Sequence, residues 1–211
     1  MSTPTTNNNN IIASALNSTL PTIVYFRNRG KAEISRLLLA YFNVEFLDAR
    51  VETIDDELRQ ILPYSQLPIY KEGEFVLAQS SAIARYLAEK YDFIGKTLQE
   101  KAIAHEIVDA IWDLVVPIVR ASTDADKEKV KSLIQQFLTN WEKRIEKYTY
   151  IAQGDGYTYA DLAIYFAYDY VSFLGYSNET QGYPKLESLK QHFETIPSIK
   201  RYIESRPVTK F

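Results

Sequence analysis

The chain of 211 residues contains no cysteine. It can therefore form no disulfide, no thiolate metal site and no cysteine nucleophile, and any thiol chemistry must use a thiol that the substrate brings. Histidine is nearly as scarce, because His105 and His192 are the only two in the sequence and lie far apart. Two isolated imidazoles are too few for a metal site, so the sequence predicts no bound metal.

Charge and hydropathy exclude two classes of partner. The formal net charge is −3 and no stretch concentrates Lys and Arg, which argues against nucleic acid or an anionic membrane surface as the partner. No apolar run is long enough to cross a bilayer, and the N-terminus has no basic region followed by an apolar stretch. We therefore expect no membrane segment and a cytoplasmic location.

Three segments differ in pattern. Residues 1–20 are polar and low in complexity, with four consecutive asparagines, so they are predicted to be a disordered tail. Residues 21–96 alternate short β-branched strands with helical patterns, which predicts a thioredoxin-like βαβαββα domain. From 97 to 211 the apolar period is 3.6 and the strand patterns vanish, which predicts an all-α domain. The expected fold class is thus α/β plus all-α.

The stretch from Leu67 to Lys90 reads as a hairpin followed by an amphipathic helix. A cis bond before Pro68 would turn the backbone of Leu67 outward as an unpaired edge that can hold a peptide-like ligand. Ser80 or Ser81 lies where an N-cap is needed, and free N–H groups there would hold a small carboxylate. An ordinary hairpin and helix without a ligand is the alternative interpretation of this segment.

Tyr25 stands at the carboxyl end of the first predicted strand, just before a turn over residues 27–30. In open α/β sheets ligands bind at that end of the strands, so Tyr25 is a candidate functional residue. The alternative is that Tyr25, one of 16 tyrosines, only caps the core.

Four motifs occur in an order that resembles the cytosolic glutathione transferases, most closely their tyrosine type and its sigma-like class. The motifs are Tyr-Phe-x-x-Arg-Gly-Lys-Ala-Glu (25–33), Leu-Pro-Tyr-Ser-Gln-Leu-Pro (62–68), Gln-Ser-x-Ala-Ile-Ala-Arg-Tyr-Leu (79–87) and Thr-Tyr-Ala-Asp (158–161). The resemblance covers the chain from about residue 21 to its end.

The resemblance implies glutathione as co-substrate, with the Tyr25 hydroxyl donating to its sulfur. The residues that match the family's glutathione-binding positions are Lys31, Arg59, Gln66, Leu67, Pro68, Gln79, Ser80 and Asp113. Leu67 would pair with the cysteinyl backbone, and Gln79 with Ser80 would hold the γ-glutamyl carboxylate. Lys31 departs from the usual arginine and offers a point charge in place of a bidentate fork.

Two of these matches have ordinary alternatives. Arg59 could equally be a solvated surface residue, and Asp113 an exposed aspartate of a long helix. In the family the residue matching Asp113 reaches the ligand of a partner subunit, which implies a homodimer. The aromatic matching Tyr64 plugs the partner in several classes.

The activity implied is conjugation or isomerisation of small hydrophobic electrophiles, with the substrate site formed by the all-α domain. The alternative is a weakly catalytic relative, such as a ligand carrier or an S-crystallin-like structural protein.

Overall fold

The structure is a computed structural model, and it describes residues 8–209. Its chain divides into two compact units, one formed by residues 8–87 with 207–209 and the other by residues 88–206. Over the part of the chain described, no helix is both long and apolar enough to span a bilayer.

The first unit is built on a four-stranded mixed sheet. Its strands are β1 (Thr22–Phe26), β2 (Leu47–Val51), β3 (Ile69–Glu72) and β4 (Phe75–Ala78). Their order is β2-β1-β3-β4, with β2 parallel to β1 and the other two pairings antiparallel. β1 is central and its first four residues are buried, which suits its β-branched and aromatic composition.

The helices are α1 (Asn8–Asn17), α2 (Glu33–Tyr41), α3 (Asp56–Ile61), α4 (Ser80–Lys90), α5 (Leu98–Arg120), α6 (Asp124–Tyr148), α7 (Tyr159–Val171), α8 (Pro184–Thr195) and α9 (Pro197–Ser205). A short 3-10 turn, Gly30–Ala32, leads into α2. From β1 to α4 the order is βαβαββα, followed by helices alone, so the predicted fold class is confirmed.

The second strand lies later in the chain than its β-branched and aromatic residues indicate. The sequence pattern predicts a strand over residues 44–49, whereas β2 spans Leu47–Val51. Its extent follows from its partner, because Thr22 pairs with Leu47 and Phe26 with Val51, so β2 exists only where β1 does.

The structure differs from the predicted disordered tail over α1. Ile12 is 1% and Ala15 3% exposed, and both belong to a core cluster with Val24, Ala49 and Leu58 of the first unit. Ile12 and Ala15 are three residues apart and so share one face of a helix, which the average polarity of the segment hides. The part of the predicted tail over residues 1–7 lies outside the described residues.

Helix ends in the second unit follow local sequence rules. Thr158 and Asp161 form a capping box at the start of α7, with each side chain accepting from the other's backbone. Pro184 and Pro197 open α8 and α9 at the first helical position, which suits proline, and Pro117 lies inside α5. The buried faces of α5 and α6 are mainly apolar, which agrees with the predicted all-α domain.

Candidate functional site

Tyr25 ends the buried part of β1 and is 8% exposed. Its hydroxyl oxygen accepts a hydrogen bond from the backbone N–H of Lys31 at 3.2 Å. Within the described residues, no acceptor lies in hydrogen-bonding range of the hydroxyl's own proton. The hydroxyl is therefore fixed in position yet can still donate to a group that enters the site.

Protonation of Tyr25 follows from its burial. Burial raises the pKa of the Tyr25 hydroxyl above its usual range, against the opposing effects of the Lys31 N–H bond and the charge of Arg36. A tyrosine whose pKa is raised stays neutral at physiological pH, so it carries the proton that a donor needs.

The turn after β1 requires a glycine. Gly30 has φ +39°, and a Cβ built there would lie 2.6 Å from Asn28 Oδ1 and 2.9 Å from the Tyr25 hydroxyl oxygen. Real Cβ atoms do not approach other atoms so closely, so any side chain at this position would displace the hydroxyl or the amide. Gly30 therefore lets the backbone pass directly beside the candidate donor.

A buried charge cluster of Glu33, Arg36, Asp48 and Arg50 lies under this turn. Arg36 is fully buried and donates to Asp48 Oδ1 at 2.8 Å and to Glu33 Oε2 at 3.3 Å. Arg50 donates to Asp48 Oδ2 at 2.7 Å. Two cations thus face two carboxylates, which is the pairing that buried charges need.

The same arginines hold the backbone of the turn. The carbonyl oxygen of Asn28 accepts from Arg36 Nη1 at 3.0 Å and from Arg50 Nη1 at 3.3 Å, and that of Arg29 accepts from Arg36 at 3.2 Å. The Arg36 guanidinium carbon is also 5.8 Å from the centre of the Tyr25 ring. The buried charge cluster therefore fixes the turn that presents Lys31 to Tyr25.

Sequence reasoning missed this cluster. Its signals are an acid and an arginine three positions apart in the otherwise apolar α2, and the alternation Asp-Ala-Arg within β2. Neither pattern identifies the residue it pairs with, because Arg36 and Asp48 are 12 positions apart in the sequence.

A second group of predicted residues meets beside the hairpin. Six of them line one small pocket: Lys31, Gln66, Leu67, Pro68, Gln79 and Ser80. The Leu67–Pro68 bond is cis, and Leu67 lies two residues before the first residue of β3, so its backbone lies just outside the paired part of the sheet.

Gln79 and Ser80 lie at the N-terminal end of α4, which begins at Ser80. Gln79 has φ +73°, an uncommon conformation for a residue other than glycine, and its carbonyl accepts from the N–H of Ile83 at 2.9 Å. The first N–H groups of a helix have no partner within it and favour an anion. This surface thus places a backbone edge at Leu67 beside an anion-binding helix end at α4.

Arg59 and Asp113 are not among the residues that line this pocket. Arg59 is exposed on α3, and its guanidinium donates to the Ile54 carbonyl at 3.4 Å. Asp113 is exposed on α5 in the second unit. Their predicted contacts with glutathione stay predictions.

Within residues 8–209, no group of three or more His, Asp or Glu side chains is placed to hold a metal ion. Tyr25, Lys31 and the backbone N–H groups at the start of α4 offer hydrogen bonding and charge to this site.

The chain matches two family models. Residues 21–89 match the glutathione S-transferase N-terminal domain, and residues 112–206 match the glutathione S-transferase C-terminal domain.

Individual proteins are similar over nearly their whole length. A Dictyostelium discoideum protein named "Putative glutathione S-transferase alpha-2" is 40% identical over 92% of this chain and 98% of its own. The mouse hematopoietic prostaglandin D synthase is 33% identical over 89% of this chain and 97% of its own. The solved glutathione S-transferase of Ascaris lumbricoides superposes with a TM-score of 0.79 at 31% identity, covering 91% of this chain and all of that one.

Proposed function

The chain belongs to the glutathione S-transferase family, and from this premise we propose that Tyr25 activates the glutathione thiol for reaction with small hydrophobic electrophiles. The reaction forms a bond between the sulfur and an electrophilic carbon. With a chlorinated aromatic, the carbon–chlorine bond breaks, chloride leaves and the thiol proton passes to solvent.

One observation carries this proposal: Lys31 belongs to both halves of the site. Its N–H fixes the Tyr25 hydroxyl, and the same residue lines the pocket formed with Leu67 and Gln79. A ligand in that pocket therefore lies next to the donor. An extended tripeptide with a terminal carboxylate and a central thiol matches this arrangement of edge, anion site and hydroxyl.

The need for a donor follows from the thiol's acidity. A cysteine-like thiol has a pKa of about 8.5, so only about 3% is thiolate at neutral pH. A fall of about 2 in that pKa requires about 2.7 kcal/mol of selective stabilisation, which one charge-assisted hydrogen bond with dipole support can supply. The thiolate fraction then rises about 25-fold.

Activation of the thiol is only part of the catalysis. The nucleophilicity of a thiolate falls with its basicity at a slope of about 0.4–0.5. A fall of about 2 in the pKa therefore makes each thiolate roughly 6- to 10-fold less reactive. The net benefit at pH 7 is about threefold, so holding the electrophile beside the sulfur must supply most of the rate. We assign that role to the all-α part of the chain.

Each predicted binding residue has a role in this proposal. Leu67 pairs its backbone with the cysteinyl unit of glutathione, beside the cis Pro68, and Gln66 flanks that edge. Gln79 and Ser80 bind the γ-glutamyl carboxylate. The remaining predicted contacts are ionic: Lys31 and Arg59 pair with carboxylates, and Asp113 pairs with the γ-glutamyl amine.

Asp113 matches a family position whose side chain reaches the ligand of a partner subunit, so we propose a homodimer. Tyr64 is 63% exposed, which leaves its ring available to insert into a partner. Burial of such a ring contributes about 1.5–3 kcal/mol, and a two-fold interface contains it twice. Sedimentation of wild type and Tyr64→Ala across dilution tests this, and equal dissociation of both would contradict a plug.

We further propose that the enzyme is of the tyrosine type and sigma-like, that it is cytoplasmic, and that its conjugations serve detoxification. The similarity to a prostaglandin D synthase supports isomerisation as an activity to assay beside conjugation. Cell fractionation tests the location.

Retention on immobilised glutathione, followed by turnover of 1-chloro-2,4-dinitrobenzene, tests the function. Retention with turnover supports a transferase, and retention without turnover of any electrophile supports the alternative of a ligand carrier. A protein that is neither retained nor active would sink the proposal. Tyr25→Phe, which should be retained but slow, separates the donor's role from binding.

A further inference from the structure

Helix α1 packs on the part of the first unit that also carries α3. It contacts both β2 and α3, and its residues Ile12 and Ala15 belong to one buried apolar cluster with Leu58 of α3. The side chains of Ile11 and Leu16 are half-buried and pack against the same cluster. Four apolar side chains of α1 are thus used on one surface.

Helix α3 depends on such support because it is short. It spans six residues, Asp56–Ile61, and isolated helices shorter than about 12–15 residues are only marginally stable in water. Asp55 caps its N-terminus by accepting a hydrogen bond from the N–H of Leu58 at 2.9 Å. The side chain of Leu58 is fully buried in the cluster, so the packing of this cluster determines where α3 lies.

The chain that follows α3 is attached to the same cluster at two points. Leu62 belongs to the cluster and Leu67 packs against it, whereas residues 63–66 between them are exposed. A backbone hydrogen bond from the N–H of Ser65 to the Leu62 carbonyl is long, at 3.3 Å. The position of this stretch therefore depends on how firmly the cluster holds Leu62 and Leu67.

The cluster extends to the pocket beside Leu67. Leu67 and Ala78 line that pocket, and both also pack with the cluster that contains Ile12. The pocket and α1 thus share one set of supporting side chains. Because protein interiors are close-packed, a change in packing at α1 is felt by the other members of the cluster.

We propose that α1 is a positioning element for the pocket beside Leu67, and that it holds α3 and residues 62–67 in the conformation that binds an extended peptide backbone. α1 precedes the range from residue 21 that the family's N-terminal domain matches, so this support lies outside the matched domain. The inference rests on the proposed function for the identity of the ligand, glutathione. Its argument from packing is independent of catalysis.

Weaker packing at Ile12 should lower the fraction of molecules in which the pocket is formed. The apparent dissociation constant rises in inverse proportion to that fraction, so a fall to about a tenth weakens binding about tenfold. Saturating glutathione restores the formed pocket. We therefore expect Ile12→Ala to raise the Kd and the KM for glutathione about tenfold and to leave kcat within about twofold. Calorimetry and initial rates with 1-chloro-2,4-dinitrobenzene measure these quantities.

Ile199→Ala is the matched control. Ile199 is fully buried in α9 of the second unit and lies outside the cluster, so the same atoms are removed from a different part of the core. A substitution that only destabilises the fold lowers the active fraction, and with it the apparent kcat, without changing KM. Ile199→Ala should therefore keep the wild-type Kd and KM. Equal Kd and KM for glutathione in Ile12→Ala and Ile199→Ala would overturn the positioning role.

Hydrogen exchange without any ligand tests the packing itself. In Ile12→Ala the amides of α3 and of Leu67 should exchange about tenfold faster than in wild type, because the local opening that exposes them becomes more frequent. The amides of α2 should exchange at the wild-type rate. Exchange that is faster to the same extent in α2 and α3 would show a general destabilisation and contradict the proposal.

Two further variants make the test independent of how well Ile12→Ala folds. Ile12→Val keeps most of the buried side chain and should bind glutathione within about threefold of wild type. Leu16→Ala removes a half-buried side chain from the same cluster, so its KM for glutathione should shift in the same direction as that of Ile12→Ala. A wild-type KM in Leu16→Ala would count against the proposal.

The exchange experiment contains no glutathione, so two kinds of failure are distinguishable. A wild type that binds no glutathione would refute the proposed function, while selectively faster exchange in Ile12→Ala would still support the role of α1 in holding α3. If wild type and Ile12→Ala bind glutathione equally tightly, the proposed function stands and the positioning role is overturned.

Discussion

The hydroxyl of Tyr25 and the backbone N–H of Lys31 are joined by a hydrogen bond of 3.2 Å that closes the turn between β1 and α2. The bond uses a lone pair of the hydroxyl and leaves its proton available. Accepting one hydrogen bond also polarises the O–H bond, which makes it a better donor. The end of β1 and the turn before α2 thus together position the hydroxyl proton of Tyr25 for donation.

Replacing Tyr25 by Phe should remove that proton without changing the pocket beside Leu67. We expect glutathione affinity within a few-fold of wild type, but a rise of about 1–2 in the pKa of the bound thiol, the equivalent of one charge-assisted hydrogen bond. The ultraviolet absorbance of the thiolate, followed against pH, measures it. Tyr86→Phe, which removes a hydroxyl 3.5 Å from Glu72 in the same unit, is the control. A titration that is unchanged in Tyr25→Phe would show that another group activates the thiol.

Gly30 and Gly73 form a matched pair for the geometry of the turn. Both have positive φ, +39° and +56°, but a Cβ at Gly73 would meet nothing within 4 Å. Alanine at either position should cost about 1–2 kcal/mol of unfolding free energy through the backbone. Only Gly30→Ala should also lower kcat/KM, by about tenfold or more, because its methyl group displaces the Tyr25 hydroxyl. Equal kcat/KM for the two variants would mean that the hydroxyl position is not critical.

Arg36→Met tests the buried charge cluster. The substitution keeps much of the side-chain volume but leaves Glu33 without its buried cation, so we expect a loss of about 3–5 kcal/mol in urea unfolding. Adding Glu33→Gln should recover part of this loss, because the unpaired charge is then gone. If the two substitutions are additive instead, Glu33 and Arg36 do not form an energetic pair.

Features formed by residues close together in the sequence could be predicted, whereas contacts between residues far apart in the sequence could not. The Thr158–Asp161 capping box and the first-turn Pro184 are local, so a few letters determine them. Residues of the pocket beside Leu67 were found through motif order. The buried charge cluster joins α2 to the neighbouring strand across 12 residues between Arg36 and Asp48, and no local pattern encodes that contact.

The average composition of residues 1–20 does not reveal the face that α1 buries. Averaged over residues 1–20 the segment is polar, but Ile12 and Ala15 share a buried face of α1. A short apolar stripe of this kind gains its free energy from the sheet it packs on, which is determined by distant parts of the chain.

Ile12→Ala tests whether α1 is part of the stable fold. Loss of this buried side chain should lower the unfolding free energy by about 1.5–3 kcal/mol, measured by urea denaturation. Ser14→Ala, on the exposed side of the same helix, should stay within about 0.5 kcal/mol of wild type. An unchanged Ile12→Ala would support the tail expected from the composition.

Asp161 should make stability depend on pH. Burial raises the pKa of its carboxyl to about 6, although the N–H groups of Ile151 and Thr158 donate to it at 3.1 and 2.8 Å. Because the folded pKa exceeds the model-peptide value of 3.8, the folded state binds the proton more tightly. This contribution is fully present below pH about 4 and is lost as the pH rises to about 6.

Asp161→Asn has no such titration. The unfolding free energy of wild type minus that of the variant should therefore fall as the pH rises from about 4 to 6, by up to about 3 kcal/mol. Urea unfolding at several pH values measures this difference. Parallel curves for the two proteins over that interval would contradict the raised pKa.

The two ends of the described chain meet at one strand. α1 and residues 207–209 both line a cavity along β2, so the first unit contains the earliest and the latest described parts of the chain. During synthesis on the ribosome, β1 to β4 emerge long before residues 207–209 do. The sheet can thus form while the second unit is still being translated, but the wall along β2 is completed only after residues 88–206 have been translated.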